Sequence, residues 1–98
     1  MPNTCKYYDQ WIVCSTSFAG IFFGKVKEYI AVPGVGATIT LTEARQCLYW
    51  EEVVGGYVGL AVIGPSKGSK LGTIVAEITL HTVTSDMPAT RQAIAAWK

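Results

Sequence analysis

Short runs in which apolar and polar residues alternate dominate most of this sequence. Trp11-Ile12-Val13-Cys14 is apolar and rich in strand formers, and Lys25 to Ile30 alternates apart from Glu28. Ala37 to Leu41 alternates again, and Gln46 to Trp50 has the composition of a further strand. A period of two along the chain predicts β-strands rather than amphipathic helices.

Turn signals separate these runs. Val32 to Gly36 predicts a hairpin, because its proline presets φ and its glycines tolerate positive φ. Thr42 to Arg45 is expected to form a short corner, and Gly64 to Lys70 a surface loop. The segment Gly55 to Ile63 is compatible with either a helical turn or a buried strand, and its glycines disfavour a long helix.

The last third of the chain predicts one long strand followed by a helix. Thr73 to Thr84 has two faces, one with Ile74, Ala76, Ile78 and Leu80, the other with Glu77, Thr79 and His81. Asp86 is a candidate helix cap and Pro88 suits a first helical turn. The expected helix then runs to Trp97 and packs through Thr90, Ile94 and Trp97.

These elements predict a single domain over residues 1–98. It consists of an N-terminal arm at 1–10, a β core at 11–84 and a C-terminal helix at 86–97. The fold class is mainly β with a C-terminal helix. About five or six short strands and a terminal helix indicate a small antiparallel barrel or a strongly curved sheet.

Composition adds an expectation about assembly. The chain has 98 residues, of which 50% are apolar and only 15% charged, and this is more apolar material than a small monomer readily buries. A homo-oligomer is therefore expected. Eight basic against seven acidic residues, with no basic block, argue against duplex nucleic acid as a partner but leave room for one small anion.

The chain offers little for metal, membrane or catalytic chemistry. Cys5, Cys14 and Cys47 form no C-x-x-C pair, and His81 is the one histidine, so no metal site and no cofactor are expected. The apolar run Val53 to Gly64 is too short to cross a membrane, and the thiols suit a reducing cytoplasm.

Catalytic motifs are not matched either. Gly64 to Lys70 departs from a phosphate-binding loop, and adjacent Glu51 and Glu52 point to opposite faces if extended. His81 on a strand is expected to be solvated, although a diad with Glu77 is the alternative. No catalytic residue is assigned, and a binding protein is expected rather than an enzyme.

Aromatic residues concentrate near two cations, and this is the main candidate site. The stretch between positions 18 and 57 holds Lys25 and Arg45 together with Phe18, Phe22, Phe23, Tyr29, Tyr49, Trp50 and Tyr57. Aromatic faces can stack on bases while an arginine fork pairs with phosphate. An ordinary aromatic core is the alternative. Arg45, amid apolar strands, requires a carboxylate or ligand partner in either case.

Two segments resemble a family of small phage and prophage proteins: Ser17 to Gly24 (SFAGIFFG) and Thr42 to Trp50 (TEARQCLYW). That family carries an S-A-G turn after its first strand, an A-R-R-x-W-Y-W strand and a terminal helix ending in Trp, which matches Trp97 here. Gln46 and Leu48 depart from the strand motif, and Ser15 stands where a basic residue is expected.

The resemblance implies a viral protein acting in the host cytoplasm. By analogy with a class of small phage proteins, it suggests an oligomeric sponge that sequesters a cyclic nucleotide or cyclic ADP-ribose immune signal. The expected ligand site consists of Ser17, Phe18, Gly20, Lys25, Arg45, Tyr49 and Trp50. Phe18, Tyr49 or Trp50 would stack on a base, and Arg45 with Lys25 would hold phosphate. The alternative is a protein–protein adaptor, an inhibitor of a host enzyme or a virion accessory protein.

Overall fold

The computed structural model describes residues 7–17, 20–34 and 36–98. Five strands form: β1 (Trp11–Thr16), β2 (Ile21–Val32), β3 (Gly36–Tyr49), β4 (Lys70–Leu71) and β5 (Val75–Pro88). A 3₁₀ turn (Glu52–Val54) precedes helix α1 (Gly56–Val62), and helix α2 (Arg91–Trp97) ends the chain. The mainly β class with a C-terminal helix is confirmed. The predicted arm at 1–10 lies mostly outside the described residues.

The strands close into an antiparallel ring. β1 pairs with β2 on one edge and with β5 on the other. β3 pairs in turn with both β2 and β5, so backbone hydrogen bonds run around β1, β2, β3 and β5. β4 extends the edge of β3 near Tyr49. The predicted small antiparallel barrel or strongly curved sheet is confirmed, and β2 and β3 form the predicted hairpin.

Alternation along β1 divides the core into two clusters. Ile12 and Cys14 belong to a cluster drawn from all four strands of the ring, whereas Val13 belongs to a cluster shared with the helices. The ring cluster contains Ile12, Cys14, Phe22, Val26, Ala37, Ile39, Leu41, Ala44, Leu80 and Val83. The helix cluster contains Val13, Phe23, Cys47, Val54, Leu60, Ala61, Ala93 and Trp97. β1 is thus buried on both faces, which explains its unbroken apolar run.

Register shifts interrupt the alternation in several strand pairs, and two of them place a residue other than glycine at positive φ. The predicted corner at Thr42 to Arg45 is wrong, because β3 continues through it with one extra residue. Lys25 is opposite Thr42 while Phe23 is opposite Arg45, and Glu43 adopts a positive φ of 50°. Gly24 faces this bulge, where a Cβ atom would press on Leu41. Bulges of this kind bend a strand and turn a side chain outward.

The second bulge lies in β5. The predicted strand began at Thr73 and ended at Thr84, whereas β5 spans Val75 to Pro88. Thr82 has a φ of 53°, and the register shifts between the pairs Ala37–Val83 and Ile39–Leu80. Leu80 and Val83 are therefore both buried although they are three residues apart.

The predicted helix start at Asp86 is wrong, and so is the end of the β core at residue 84. Residues 83–88 pair with β1, with Cys14 opposite Asp86 and Ile12 opposite Pro88. This pairing satisfies the backbone groups of the segment, and Pro88 falls at the strand end, where its missing N–H costs little. α2 begins at Arg91, and Thr90 is its N-cap, accepting a 3.1 Å hydrogen bond from the Ala93 amide.

Gly55 to Ile63, for which the sequence allowed either a helical turn or a buried strand, contains helix α1. A Cβ atom at Gly59 would overlap the carbonyl of Val54, so glycine permits the 3₁₀ turn to pack directly on the helix. The predicted loop follows and ends where Lys70 enters β4. Glu51 holds this loop, accepting hydrogen bonds from the Ser66 hydroxyl at 2.5 Å and the Gly68 amide at 3.1 Å. In the part of the chain described, no helix is long and apolar enough to cross a membrane.

Thr90 joins the two helices, and its replacement tests that junction. The hydroxyl also donates to the Val62 carbonyl at 2.5 Å, at the end of α1. Thr90→Ala is expected to lower the free energy of unfolding by about 1–2 kcal/mol, because the cap and this bond are lost together. Urea denaturation measures the loss. Thr90→Ser keeps the hydroxyl and should stay close to wild type; an equal loss in both variants would contradict the capping role.

Candidate functional site

The turn between β1 and β2 contains two of the predicted ligand residues. Ser17 is exposed, and its amide donates to the Thr82 carbonyl at 3.2 Å. Gly20 has a φ of 92°, and its carbonyl accepts from both the amide and the hydroxyl of Thr16. Phe18, predicted to stack on a base, lies outside the described residues. These hydrogen bonds connect Ser17 to β5 and close the β1–β2 hairpin at Gly20.

Tyr49 and Trp50 lie at the far end of β3. Tyr49 is 53% exposed and sits opposite Lys70 on β4. Trp50 is half-buried and packs against the helix cluster. The two neighbouring rings therefore have different surroundings, and neither lines the two surface pockets described below.

Arg45 uses its guanidinium to bind backbone carbonyls. Its Nε donates to the Gly72 carbonyl at 2.7 Å, and its Nη1 donates to the Trp97 carbonyl at 2.8 Å. The Trp97 carbonyl is among those that a helix C-terminus leaves without an intrahelical partner, and a cation is favourable there. The partner that the sequence required for Arg45 is thus the protein backbone. The Nη2 group makes no hydrogen bond to any described residue.

Three stacked aromatic rings lie beside Arg45 and line a surface pocket. Phe23 lies between Trp11 and Trp97, with ring centroids 4.9 Å and 5.0 Å away and planes within 10° of parallel. The ammonium of Lys98 stands 4.3 Å from the Trp11 ring centroid, within cation–π range. A small surface pocket of about 20 Å³ opens here, lined by Trp11, Phe23, Glu43, Arg45, Ile74, Trp97 and Lys98.

A second surface pocket, of about 230 Å³, lies around Lys25. It is lined by Tyr8, Asp9, Lys25, Val26, Lys27, Thr42 and Glu43. The Lys25 ammonium is 3.2 Å from Asp9, and the Lys27 ammonium is 2.9 Å from Glu77. Glu43, turned outward by its bulge, lines both pockets, so the two open side by side.

The two pockets together form a surface that we call the cationic strip. It presents Lys25 and Lys27 at one end, Arg45 and Lys98 at the other, Glu43 between them and the exposed Tyr8 ring beside Lys25. Of the predicted residues, the structure thus brings Lys25 and Arg45 onto one surface and leaves Ser17, Gly20, Tyr49 and Trp50 off it. The polar and aromatic residues of the strip that the sequence analysis did not select include Tyr8, Asp9, Trp11, Lys27, Glu43 and Lys98.

The register of β1 on β2 explains these omissions in part. Trp11 is directly opposite Lys25, a contact between residues far apart in sequence. Lys98 reaches Trp11 only because α2 folds back on the sheet. Only Lys27 could have been found from the sequence, because residues two apart on a strand lie on the same face and Lys27 therefore accompanies Lys25.

Burial makes the thiols of Cys14 and Cys47 poor nucleophiles. Removal from water, with a smaller contribution from the nearby Asp86 carboxylate, raises the pKa of Cys14 to about 12. Burial also raises the pKa of Cys47, although its bond to the Tyr49 carbonyl acts in the opposite direction. Both thiols are buried as predicted, and they stay protonated at neutral pH.

The remaining candidates for chemistry are dispersed. His81 is exposed, with Nδ1 3.5 Å from the Thr38 hydroxyl. Burial raises the pKa of Tyr57, whose hydroxyl oxygen accepts a 2.7 Å hydrogen bond from Ser85. Lys27 has its pKa raised by its hydrogen bond to Glu77. Among residues 7–17, 20–34 and 36–98, no group of three His, Cys, Asp or Glu side chains could hold a metal ion.

Fold and surface together define a small antiparallel barrel with a cationic strip on its side. The chain belongs to the family described as Domain of unknown function (DUF6948), whose model matches residues 9–97. The match covers every strand and both helices of the barrel. No curated protein and no solved structure matches this chain.

Arg45→Ala is expected to lower the free energy of unfolding by about 2–3 kcal/mol, because two carbonyls lose charge-assisted donors that are partly shielded from water. Urea denaturation measures the loss. Lys67→Ala, which removes an exposed cation from the loop after α1, is the control and should leave stability unchanged. An Arg45→Ala protein as stable as the control would show that the two bonds contribute little.

The raised pKa of Cys14 predicts a pH dependence. The unfolded thiol ionises near 9.0 and the folded thiol near 12, so the folded state holds the proton more tightly over this range. Stability is therefore expected to fall as pH rises above 9.0, by at most about 1.4 kcal/mol per pH unit. Cys14→Ala should fall less steeply when unfolding is followed against pH. Equal slopes would contradict burial of an ionisable thiol at this position.

Proposed function

We propose that this protein is a phage-encoded, non-catalytic binding protein that sequesters a nucleotide-derived immune signal in the host cytoplasm. The observation that carries the proposal is the cationic strip, where four basic side chains and an exposed aromatic ring flank two adjoining pockets. The likeness of Ser17 to Gly24 and Thr42 to Trp50 to small phage proteins supports the viral context. The family match adds no activity of its own.

Neither pocket alone is large enough for a whole nucleotide. The pocket beside Arg45 has a volume of about 20 Å³ and the Lys25 pocket about 230 Å³, so both are smaller than the roughly 300–1,000 Å³ typical of small-molecule sites. A ligand spanning both would contact cations at two ends, which is the charge pattern of a molecule with two phosphate groups.

Each end of the strip has a distinct part in the proposed binding mode. Lys25 and Lys27 would hold one phosphate, and their present partners Asp9 and Glu77 would be displaced. Lys98 and the Nη2 group of Arg45 would hold the second, while Nε and Nη1 keep their carbonyls. The Tyr8 ring, 64% exposed, would stack on a base.

This mode departs from the site expected from the sequence. Tyr8 replaces Tyr49 and Trp50 as the stacking ring, because it is the exposed aromatic side chain that lines the Lys25 pocket. Trp11 is less suited to stack on a base, since Phe23 and Lys98 already contact its ring. Arg45 and Lys25 keep the phosphate-binding role.

Sequestration requires tight binding without turnover. The buried thiols are protonated and face the core, so they do not act on a ligand in the strip. Asp9 and Glu43 line the strip, and their carboxylates would repel a phosphate rather than attack it. Binding through ammonium and guanidinium groups is expected to weaken as salt concentration rises.

Native mass spectrometry with cyclic ADP-ribose and cyclic di-AMP as probes tests the proposal. At least one probe should bind and be recovered chemically intact after heating. Lys27→Gln and Tyr8→Ala should each weaken binding about tenfold or more, since each removes one ligand contact. Lys67→Gln is the matched control and should bind like wild type, because Lys67 lies off the strip.

Three results would contradict the proposed function or its binding site. Failure of both probes to bind would reject the proposed ligand class and favour the adaptor hypothesis, in which the partner is a host protein. Conversion of a bound probe into product would reject sequestration and make the protein an enzyme. Equal weakening by Lys67→Gln would show that binding reflects overall charge rather than the strip.

A further inference from the structure

Helix α1 has an unusual composition for a surface helix, with no charged residue from Gly56 to Val62. Its inner side is accounted for: Leu60 and Ala61 are buried in the helix cluster. Its outer side carries Val58 and Val62, one turn apart, which are 58% and 48% exposed. A helix that is apolar on all sides is normally buried on all sides.

Neighbouring residues enlarge this exposed surface. Val53, in the 3₁₀ turn before the helix, is 74% exposed, and Ile63, directly after it, is 39% exposed. We call these four side chains, Val53, Val58, Val62 and Ile63, the α1 face. Four exposed aliphatic side chains within eleven residues form the kind of patch that marks an interface.

The two ends of the α1 face carry opposite charges. Glu52 is exposed just before Val53. At the other end, the Thr90 amide donates to the Ala61 carbonyl at 2.9 Å, so the exposed Arg91 stands next to the C-terminal end of α1. Neither charged side chain has an ion-pair partner among the described residues.

We propose that a second copy of this chain covers the α1 face, with the two α1 helices antiparallel about a two-fold axis. In a two-fold interface, a contact from one residue of the first copy to a different residue of the second is always accompanied by the same contact in the opposite direction. Antiparallel helices place the valines of both copies together. They also place Glu52 of each copy beside Arg91 of the partner subunit, so both charges gain a counter-ion. The α1 face shares no residue with the cationic strip, and this inference stands without the proposed ligand.

Sedimentation equilibrium of the whole chain tests the dimer. Wild type should dimerise with a concentration-dependent mass, and Val58→Lys should be monomeric, because two ammonium groups would be buried near the axis. Ile30→Lys is the matched control: Ile30 is 49% exposed on β2, next to Tyr29, which faces the ring cluster. The control should dimerise like wild type. Circular dichroism and melting temperature confirm that both variants fold.

A charge exchange tests the antiparallel arrangement. Glu52→Arg and Arg91→Glu should each raise the dissociation constant of the dimer about tenfold or more, because each places like charges together at both ends of the interface. The double variant restores opposite charges and should recover most of the wild-type affinity. A dimer that used another surface or a parallel orientation would not show this recovery, because Glu52 and Arg91 would not meet across its interface.

Three outcomes would overturn the proposal. The first is a wild-type chain that stays monomeric at the highest soluble concentration, whether or not it binds lipid vesicles or another protein. The second is an oligomer that Val58→Lys leaves intact, which would place the interface elsewhere. The third is a double charge exchange that remains as weak as the single variants, which would reject the antiparallel pairing.

Discussion

The position of Trp97 determines how the helices attach to the barrel. Its fully buried ring stacks on Phe23 of β2, its indole N–H donates to the Leu60 carbonyl of α1 at 2.9 Å, and its own carbonyl accepts from Arg45 of β3. One residue thus connects both helices to two strands of the ring. A short helix has little stability of its own, so α2 depends on these tertiary contacts. The floor of the cationic strip, and with it the geometry of any ligand held there, depends on the same residue.

Much of the fold was predictable because local pattern marks the strands of the ring. β1 follows from an unbroken run of strand formers, and β2 and its hairpin with β3 follow from alternation; neither pattern requires knowledge of distant residues. The failures have a common cause in long-range pairing. Residues 83–88 look like a helix start, but β1 recruits them as a strand. The bulges at Glu43 and Thr82 place residues other than glycine at positive φ, for which the sequence carries no local signal.

The candidate site was predictable to a smaller degree. Lys25 and Arg45 could be chosen as cations amid apolar strands, and both line the strip. Tyr8, Trp11 and Lys98 could not be placed beside them, because strand register and helix docking bring these residues together. The requirement that Arg45 have a partner was sound, but sequence cannot distinguish a carboxylate from a backbone carbonyl. Tyr49 and Trp50 were chosen because their rings can stack on a base. They lie at the far end of β3, and neither lines the cationic strip.

The parallel stack of Trp11, Phe23 and Trp97 has an optical consequence. Aromatic rings held rigidly at about 5 Å in an asymmetric environment give strong near-ultraviolet circular dichroism, which is lost when tertiary packing loosens. Because β1, β2 and α2 contribute one ring each, this band is expected to report the docking of α2 on the paired strands β1 and β2. The protein therefore contains its own spectroscopic probe of a step in its assembly, with no label added.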